Sequence, residues 1–216
     1  MKIREMYKYS NIRSNKYFIN NNIDKVLFLD IDGVLQSHGS QSRFKHIANG
    51  DMENLYHDLE NTFGIDYSKY DEYDVAAVYY DWNKQSVSLL KDILNQTGAK
   101  IVLSSDWRIF GKEMMYNFFK IHGLENYYID NTTKKFFLKR SYVEKICNKF
   151  KKKLNLQSMN YRTVEILEYI DRHPFIKKYV AIDDMNLLRG LENHFVNTRY
   201  LLFEEHAKIA IDILNS

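Results

Sequence analysis

The stretch KVLFLDIDGVLQ, from Lys25 to Gln36, decides the fold. It contains an apolar run, Val26 to Leu29, of the kind that forms a buried strand of a parallel sheet. Two carboxylates follow, Asp30 and Asp32, with Gly33 directly behind the second. An ionised carboxylate at the end of a dry strand is costly unless a partner compensates its charge. The pattern therefore indicates that these acids have a functional role.

Composition limits the class of protein. A chain of 216 residues is long enough for one domain with an additional inserted segment. A content of 45% hydrophobic and 15% aromatic residues excludes a disordered chain. The one cysteine, Cys147, excludes an intramolecular disulfide and fits a reducing compartment. Residues 1–16 are charged without an apolar core, and no run approaches the roughly 20 apolar residues of a membrane span. We therefore expect a soluble, cytoplasmic protein without a signal peptide.

The net charge of +3 conceals an uneven distribution. Residues 51–81 carry nine acids against one lysine, and residues 131–153 carry nine basic residues against one acid. Such blocks are typical of solvent-exposed faces, but the basic block is also consistent with a surface that binds phosphate-rich partners. The aromatic residues within the basic block suit the buried face of a helix, and they would also suit stacking on bases. These aromatic residues are Phe136, Phe137, Tyr142 and Phe150.

Strand and helix patterns alternate along the chain. The predicted strands lie at about residues 25–30, 99–105, 178–184 and 194–198, and the predicted helices at about 83–97, 112–121, 162–172 and 204–214. This alternation predicts an α/β fold, a three-layer Rossmann-like parallel sheet with helices on both faces. Residues 1–22 are predicted to be a lead-in to a core domain at 23–216, with a cap insertion at about 36–82 and a basic insertion at about 123–160.

Three of the predicted strands end in pairs of polar residues. The pairs are Asp30 with Asp32, Ser104 with Ser105, and Asp183 with Asp184. In an open parallel sheet, ligands bind beyond the carboxyl ends of the strands, so these pairs are expected to converge. Four carboxylates gathered there would repel one another unless a cation lay among them. Oxygen ligands without histidine or cysteine suit a hard ion, with Mg²⁺ the leading choice.

The three motifs also resemble those of a known family. LFLDIDGVL, IVLSS and YVAIDD, in this order, look like motifs one, two and four of the haloacid dehalogenase-like (HAD) superfamily of phosphotransfer hydrolases. The resemblance spans about residues 25–214. Four segments resemble the sequences of the small HAD domains of predicted RNA-repair proteins. They are AKIVLSSDWR, YRTVEILEYI, KYVAIDD and HFVNT.

The resemblance implies a role for each motif residue. Asp30 would be the nucleophile that forms an aspartyl-phosphate, and Asp32 would be the general acid and then the general base. Ser104 would donate a hydrogen bond to a phosphoryl oxygen. Mg²⁺ would be held by Asp30, the backbone carbonyl of Asp32, Asp183 and Asp184. Gly33, Ser105 and Arg108 are expected to contribute to substrate binding.

The third motif departs from the common pattern of the superfamily. A lysine usually stands near the start of the helix before the fourth-motif strand, and here the position falls on Arg162. A guanidinium stays charged and can bind phosphoryl and carboxylate oxygens together, so the role can survive. The spacing leaves Lys153, Lys177 and Lys178 as alternatives.

Single motifs also have simpler interpretations. Asp-x-Asp-Gly alone is typical of a turn, and a Ser-Ser or Asp-Asp pair after a strand often caps a helix. Trp107 is consistent with core packing. His38, His46 and His57 are consistent with surface or cap positions. A response-regulator receiver uses similar residues in a different order, so the order here argues against one.

We expect a Mg²⁺-dependent phosphomonoesterase acting on nucleotides or nucleic-acid ends, with no membrane partner. The alternatives are a non-catalytic module that binds nucleic acid or protein, and a phosphatase of small esters or phosphoproteins.

Overall fold

The first apolar run forms the central strand of a five-stranded parallel sheet. The computed structural model describes residues 22–39, 41–133, 144–145, 148–149 and 160–216. The strands are β1 (Lys25–Leu29), β2 (Lys100–Leu103), β3 (Tyr128–Asn131), β4 (Lys178–Asp183) and β5 (Phe195–Asn197), in the order β3-β2-β1-β4-β5. Leu29 pairs with Leu103 of β2 and with Ile182 of β4, so these three strands end at the same level.

The four predicted helices are present, with additional ones in the first insertion and a short one between β4 and β5. They are α1 (Arg43–Ala48), α2 (Met52–Phe63), α3 (Glu72–Ala76), α4 (Lys84–Thr97), α5 (Gly111–Ile121), α6 (Tyr161–Arg172), α7 (Leu188–Leu191) and α8 (Glu204–Asn215). The side chain of Asn83 caps α4, and Gly98 ends it with a φ of 71°, as its glycine signal predicts. Among the described helices, none has both the length and the apolar character that crossing a membrane requires.

Alternating residues of β1 belong to separate cores on the two faces of the sheet. Leu27 and Leu29 pack with α2, α3, α4, α5 and α8, whereas Val26 and Phe28 pack with α6 and α7. All four side chains are fully buried. This is the arrangement expected of a parallel strand that is covered on both faces. The predicted three-layer α/β architecture is confirmed.

The first insertion packs into the larger core. Met52, Leu55 and Leu59 of α2 and Val75 of α3 are buried among the residues that cover the β1 side chains Leu27 and Leu29. The insertion is therefore anchored to the sheet by its own apolar residues. Its action as a cap over the site stays a prediction.

β3 lies within residues 123–160, for which the sequence predicts a basic insertion without a strand. The strand has four residues, only Tyr128 is buried, and its last two are Asp130 and Asn131. A short edge strand with polar residues has no apolar run to reveal it. Most of the basic block, the aromatic residues within it and residues 1–21 of the lead-in lie outside the described residues.

Candidate active site

The polar ends of β1, β2 and β4 meet at one edge of the sheet. The amide of Asp30 donates to the carbonyl of Ile182 at 3.0 Å, and the amide of Ser104 donates to the carbonyl of Leu29 at 2.8 Å. These bonds continue the strand pairing by one residue beyond β1. They place Asp30 between Ser104 and Asp183, and all three residues are buried. The predicted convergence of the three motifs is therefore present.

Gly33 lets the first motif pack against the fourth. Its φ is 71°, and a Cβ added there would lie 2.5 Å from the Cβ of Asp184. Any side chain would be strained by the backbone and would also collide with Asp184. The Gly33 carbonyl accepts a hydrogen bond from Thr198 Oγ1 at 2.7 Å, which holds the turn. The contacts of Gly33 are thus internal, and they keep the Asp-x-Asp turn beside Asp184.

Arg162 bridges Asp30 of the first motif and Asp183 of the fourth. It follows Asn160, whose side chain caps α6, and its Nη1 lies 2.5 Å from Asp30 Oδ2 and 2.9 Å from Asp183 Oδ2. Burial lowers the pKa of Arg162, but the charges of Asp30 and Asp183 raise it by more, so the guanidinium stays charged. The arginine therefore lies where the third-motif cation was expected.

The alternative lysines lie elsewhere or cannot be placed. Lys177 Nζ is 3.9 Å from Asp24 Oδ2, and Lys178 Nζ donates to the backbone carbonyl of Ser216 at 2.8 Å. Both lysines are at the amino end of β4, the end opposite the site. Lys153 falls outside the described residues. The geometry thus favours Arg162 for the third-motif position.

Three carboxylates lie close enough together to hold a cation. Asp30, Asp183 and Asp184 each offer an oxygen, and these oxygens all lie within 4.8 Å of one another. The side chain of Asp32 is outside this group, in keeping with the expectation that it contributes its backbone carbonyl. An all-oxygen set of this kind suits Mg²⁺. The donor chemistry therefore fits the predicted ion.

Burial raises the pKa of two of the acids, Asp30 and Asp183. Burial raises the pKa of Asp30, and Arg162 only partly offsets the effect. Burial and then the charge of Asp30 raise the pKa of Asp183 to about 7. Within the described residues, Arg162 is the buried cation in contact with both of them. A divalent cation would supply the positive charge that this cluster lacks.

Two N–H donors hold the carboxylate of Asp32. Trp107 Nε1 donates to its Oδ2 at 3.0 Å, and Gln36 Nε2 donates to its Oδ1 at 3.2 Å. Burial raises the pKa of Asp32, and the bond from Trp107 opposes this rise. The sequence predicts core packing for Trp107; its ring is indeed buried, but its N–H also contacts Asp32. The sequence signal for this contact was the position of Trp107, two residues after Ser105 in the segment that follows β2.

The two serines after β2 have different contacts. The Ser105 hydroxyl hydrogen-bonds Asp30, and its oxygen also accepts from the amide of Trp107 at 3.4 Å. Ser104 Oγ is buried and has no hydrogen-bond partner among the described residues. A buried hydroxyl without a partner is costly, so a ligand oxygen would satisfy it. Ser104 is not among the residues that line the cavity, and its predicted phosphoryl contact stays a prediction.

Arg108 does not line the pocket, in contrast to the predicted substrate contact. Its Nη2 lies 2.7 Å from Glu165 Oε2, and its Nη1 donates to Thr132 Oγ1 at 2.6 Å. The paired side chains of Arg108 and Glu165 are only 3% and 2% exposed. The ion pair joins the turn after β2 to α6 and to the end of β3. This arrangement favours a structural role.

The site opens as a cavity of about 320 Å³, at the lower end of the range for small-molecule sites. Besides Asp30, Asp32, Arg162 and Asp184, the described residues that line it are His38, Asp106, Tyr161 and Met185. His38, interpreted from sequence as a surface or cap residue, has Nε2 2.9 Å from Asp184 Oδ2. That hydrogen bond raises the pKa of His38. Sequence reasoning missed this residue, since no local pattern links it to Asp184.

A parallel sheet with Asp-x-Asp after its central strand, a serine after the next and an acidic pair after a third defines a protein of the HAD-like class. A family model described as the HAD domain in Swiss Army Knife RNA repair proteins matches residues 26–204. The chain belongs to this family, which confirms both the superfamily and its RNA-repair branch. Neither the curated proteins nor the solved structures gave a match. Membership supports an activity of the HAD phosphatase type.

Proposed function

We propose that the protein is a Mg²⁺-dependent phosphomonoesterase that acts through Asp30 on the phosphates of nucleotides or nucleic-acid ends. The observation that carries the proposal is that Asp30, Arg162 and Asp184 line one pocket, while Asp183 pairs with Arg162 and offers an oxygen within 4.8 Å of those of Asp30 and Asp184. A binding module would need neither a buried nucleophile nor a second acid two residues later. The family supports the class of reaction.

The first half-reaction joins the phosphoryl group to Asp30. The Ile31 amide holds one carboxylate oxygen of Asp30 at 2.9 Å, and Arg162 binds the other. An Asp30 oxygen attacks phosphorus, the bond from phosphorus to the ester oxygen breaks, and Asp32 gives that oxygen its proton. When bound at Asp30, Asp183 and Asp184, Mg²⁺ would shield the nucleophile from the anionic substrate and stabilise the charge of the transition state.

The second half-reaction restores Asp30. Asp32, now a carboxylate, takes a proton from water, and the water oxygen attacks phosphorus. The bond between phosphorus and Asp30 breaks, and inorganic phosphate leaves. The donors from Trp107 and Gln36 keep the Asp32 carboxylate in one place through both steps.

The choice of nucleotide or nucleic-acid ends is supported by the family description, which concerns RNA repair. It is also supported by the nine basic residues in 131–153. A cytoplasmic location belongs to the same proposal, since a single cysteine fits a reducing compartment.

The test is hydrolysis of an aryl phosphate with Mg²⁺ or with EDTA, in the wild type and in Asp30→Asn. Asp92→Asn is the matched control, because Asp92 is exposed on α4 and does not line the cavity. We expect turnover that EDTA and Asp30→Asn abolish and that Asp92→Asn retains. A panel of nucleotides, end-phosphorylated oligonucleotides and small esters then identifies the substrate class. A folded wild type that binds Mg²⁺ but hydrolyses none of these substrates would refute the proposal in favour of a binding module.

A further inference from the structure

The cavity offers little positive charge to a substrate beyond its phosphate. Four acids line it, namely Asp30, Asp32, Asp106 and Asp184. The two lining side chains that can carry positive charge are engaged, Arg162 with Asp30 and His38 with Asp184. A second phosphate at the described rim would therefore meet repulsion. Within the described lining, the contacts left for the rest of the substrate are uncharged ones.

Tyr161 and Met185 are the uncharged side chains among the described lining residues. Tyr161 is the first residue of α6, directly before Arg162, and it is 41% exposed. Its ring packs against no other aromatic ring of the described chain. Asn160 connects the two residues, because its side chain caps α6 and its Nδ2 lies 3.7 Å from Met185 Sδ. The structure thus presents an open ring and a thioether in the lining of one cavity, together with Arg162.

We infer that Tyr161 and Met185 form the subsite for the nucleobase of the nucleotide that carries the scissile phosphate. A flat aromatic face and a polarisable thioether suit a heterocyclic ring, and stacking needs no charge. Stacking also tolerates different bases, which suits an enzyme that processes nucleic-acid ends of varied sequence. The inference rests on the proposed function and specifies its substrate class, a base-bearing phosphate ester in preference to a sugar phosphate.

The test compares nucleoside 3′- and 5′-monophosphates with ribose 5-phosphate, which has the phosphate and sugar without the base. For Tyr161→Ala we expect kcat/KM on the nucleotides to fall roughly tenfold to a hundredfold, mainly through KM, because a base stack contributes that much to affinity. Ribose 5-phosphate should change by less than about twofold, since it makes no stack. Tyr161→Phe keeps the ring and should retain both activities.

Tyr116→Ala is the matched control, because Tyr116 lies on α5, is 43% exposed and does not line the cavity. It should leave all substrates unchanged. An equal loss on nucleotides and ribose 5-phosphate in Tyr161→Ala, or no loss on nucleotides, would overturn the inference while leaving the phosphatase proposal intact.

Failure of the phosphatase proposal is distinguishable, because the wild type would then hydrolyse none of the three esters. Calorimetric binding of the same nucleotides to Asp30→Asn, with and without Tyr161→Ala, decides the subsite in that case. A loss of nucleotide affinity on removing Tyr161 supports the inference. Equal affinities, or no nucleotide binding by either variant, overturn it.

Discussion

Replacing Trp107 by phenylalanine removes a hydrogen bond from Asp32 while keeping an aromatic ring in the core. Trp107 is buried, and its ring centroid lies 6.0 Å from that of Trp82 and 5.6 Å from that of Phe110. The lost bond is the 3.0 Å contact from Nε1 to Asp32 Oδ2, which leaves Gln36 as the hydrogen-bond donor to the Asp32 carboxylate among the described residues. The carboxylate would then be free to turn away from the ester oxygen.

The size of the effect follows from the charge of the acceptor. A hydrogen bond to a charged group contributes about 1.5–3 kcal/mol, and general acid catalysis contributes roughly a hundredfold to ten-thousandfold. Partial loss of alignment should lower kcat/KM about tenfold to a hundredfold for an alkyl phosphate, whose leaving oxygen needs a proton. The loss should be under about threefold for 4-nitrophenyl phosphate, because nitrophenolate leaves without protonation.

The assay is kcat/KM for a series of esters with leaving groups of increasing pKa, measured with saturating Mg²⁺. This parameter reports the half-reaction that releases the leaving group. Trp82→Phe is the matched control, because Trp82 is also buried but its Nε1 has no hydrogen-bond partner among the described residues. Equal losses for all esters in Trp107→Phe, or the same leaving-group dependence in Trp82→Phe, would refute the assigned role of Trp107.

Three further substitutions test other parts of the site and fold. Gly33→Ala should displace Asp184, because the new Cβ would lie 2.5 Å from it, and should therefore lower Mg²⁺ affinity by calorimetry and lower Tm. Glu165→Ala should cost about 3–5 kcal/mol of unfolding free energy in urea titrations, since it leaves Arg108 buried without its ion-pair partner. Burial raises the pKa of Asp74 to about 6 in the folded protein, whereas its pKa in the unfolded chain is 3.8. The charge of Asp74 therefore destabilises the fold as the pH rises above 3.8, and fully so above pH 6. Asp74→Asn should therefore stabilise the protein by about 1 kcal/mol at pH 8, a value reduced for solvent screening, and should have no effect at pH 3.5.

Each of these predictions has a control. Gly50→Ala shares a positive φ, 78°, but meets no atom within 4 Å, so it should lower Tm without changing Mg²⁺ affinity. Asp24→Ala removes an exposed partner of Lys177 and should change stability by less than about 0.5 kcal/mol. A similar cost for Asp24→Ala and Glu165→Ala would contradict the burial argument. A gain for Asp74→Asn of equal size at both pH values would show that its charge is not the cause.

Local sequence signals determined the framework of the site. Apolar runs that end in Asp30, Ser104 and Asp183 identify three strands, and parallel pairing brings the ends of those strands to one edge. Helix periodicity and the glycine after α4 placed the main helices to within about one or two residues, the usual precision of helix ends. The position of Arg162 before β4 was predictable from motif order, although the spacing alone left three lysines as alternatives.

Tertiary structure decided which side chains complete the site. Trp107 and Asp32 are 75 residues apart, Arg108 and Glu165 57, and His38 and Asp184 146. Periodicity and capping act over a few residues and carry no information at such separations. Thus Arg108 was predicted to contact substrate, whereas the fold buries it beside Glu165. The sequence by itself determined where the acids end their strands; only the folded chain determined which donors hold Asp32 and which acid pairs with Arg108, because those contacts are made by packing between distant elements.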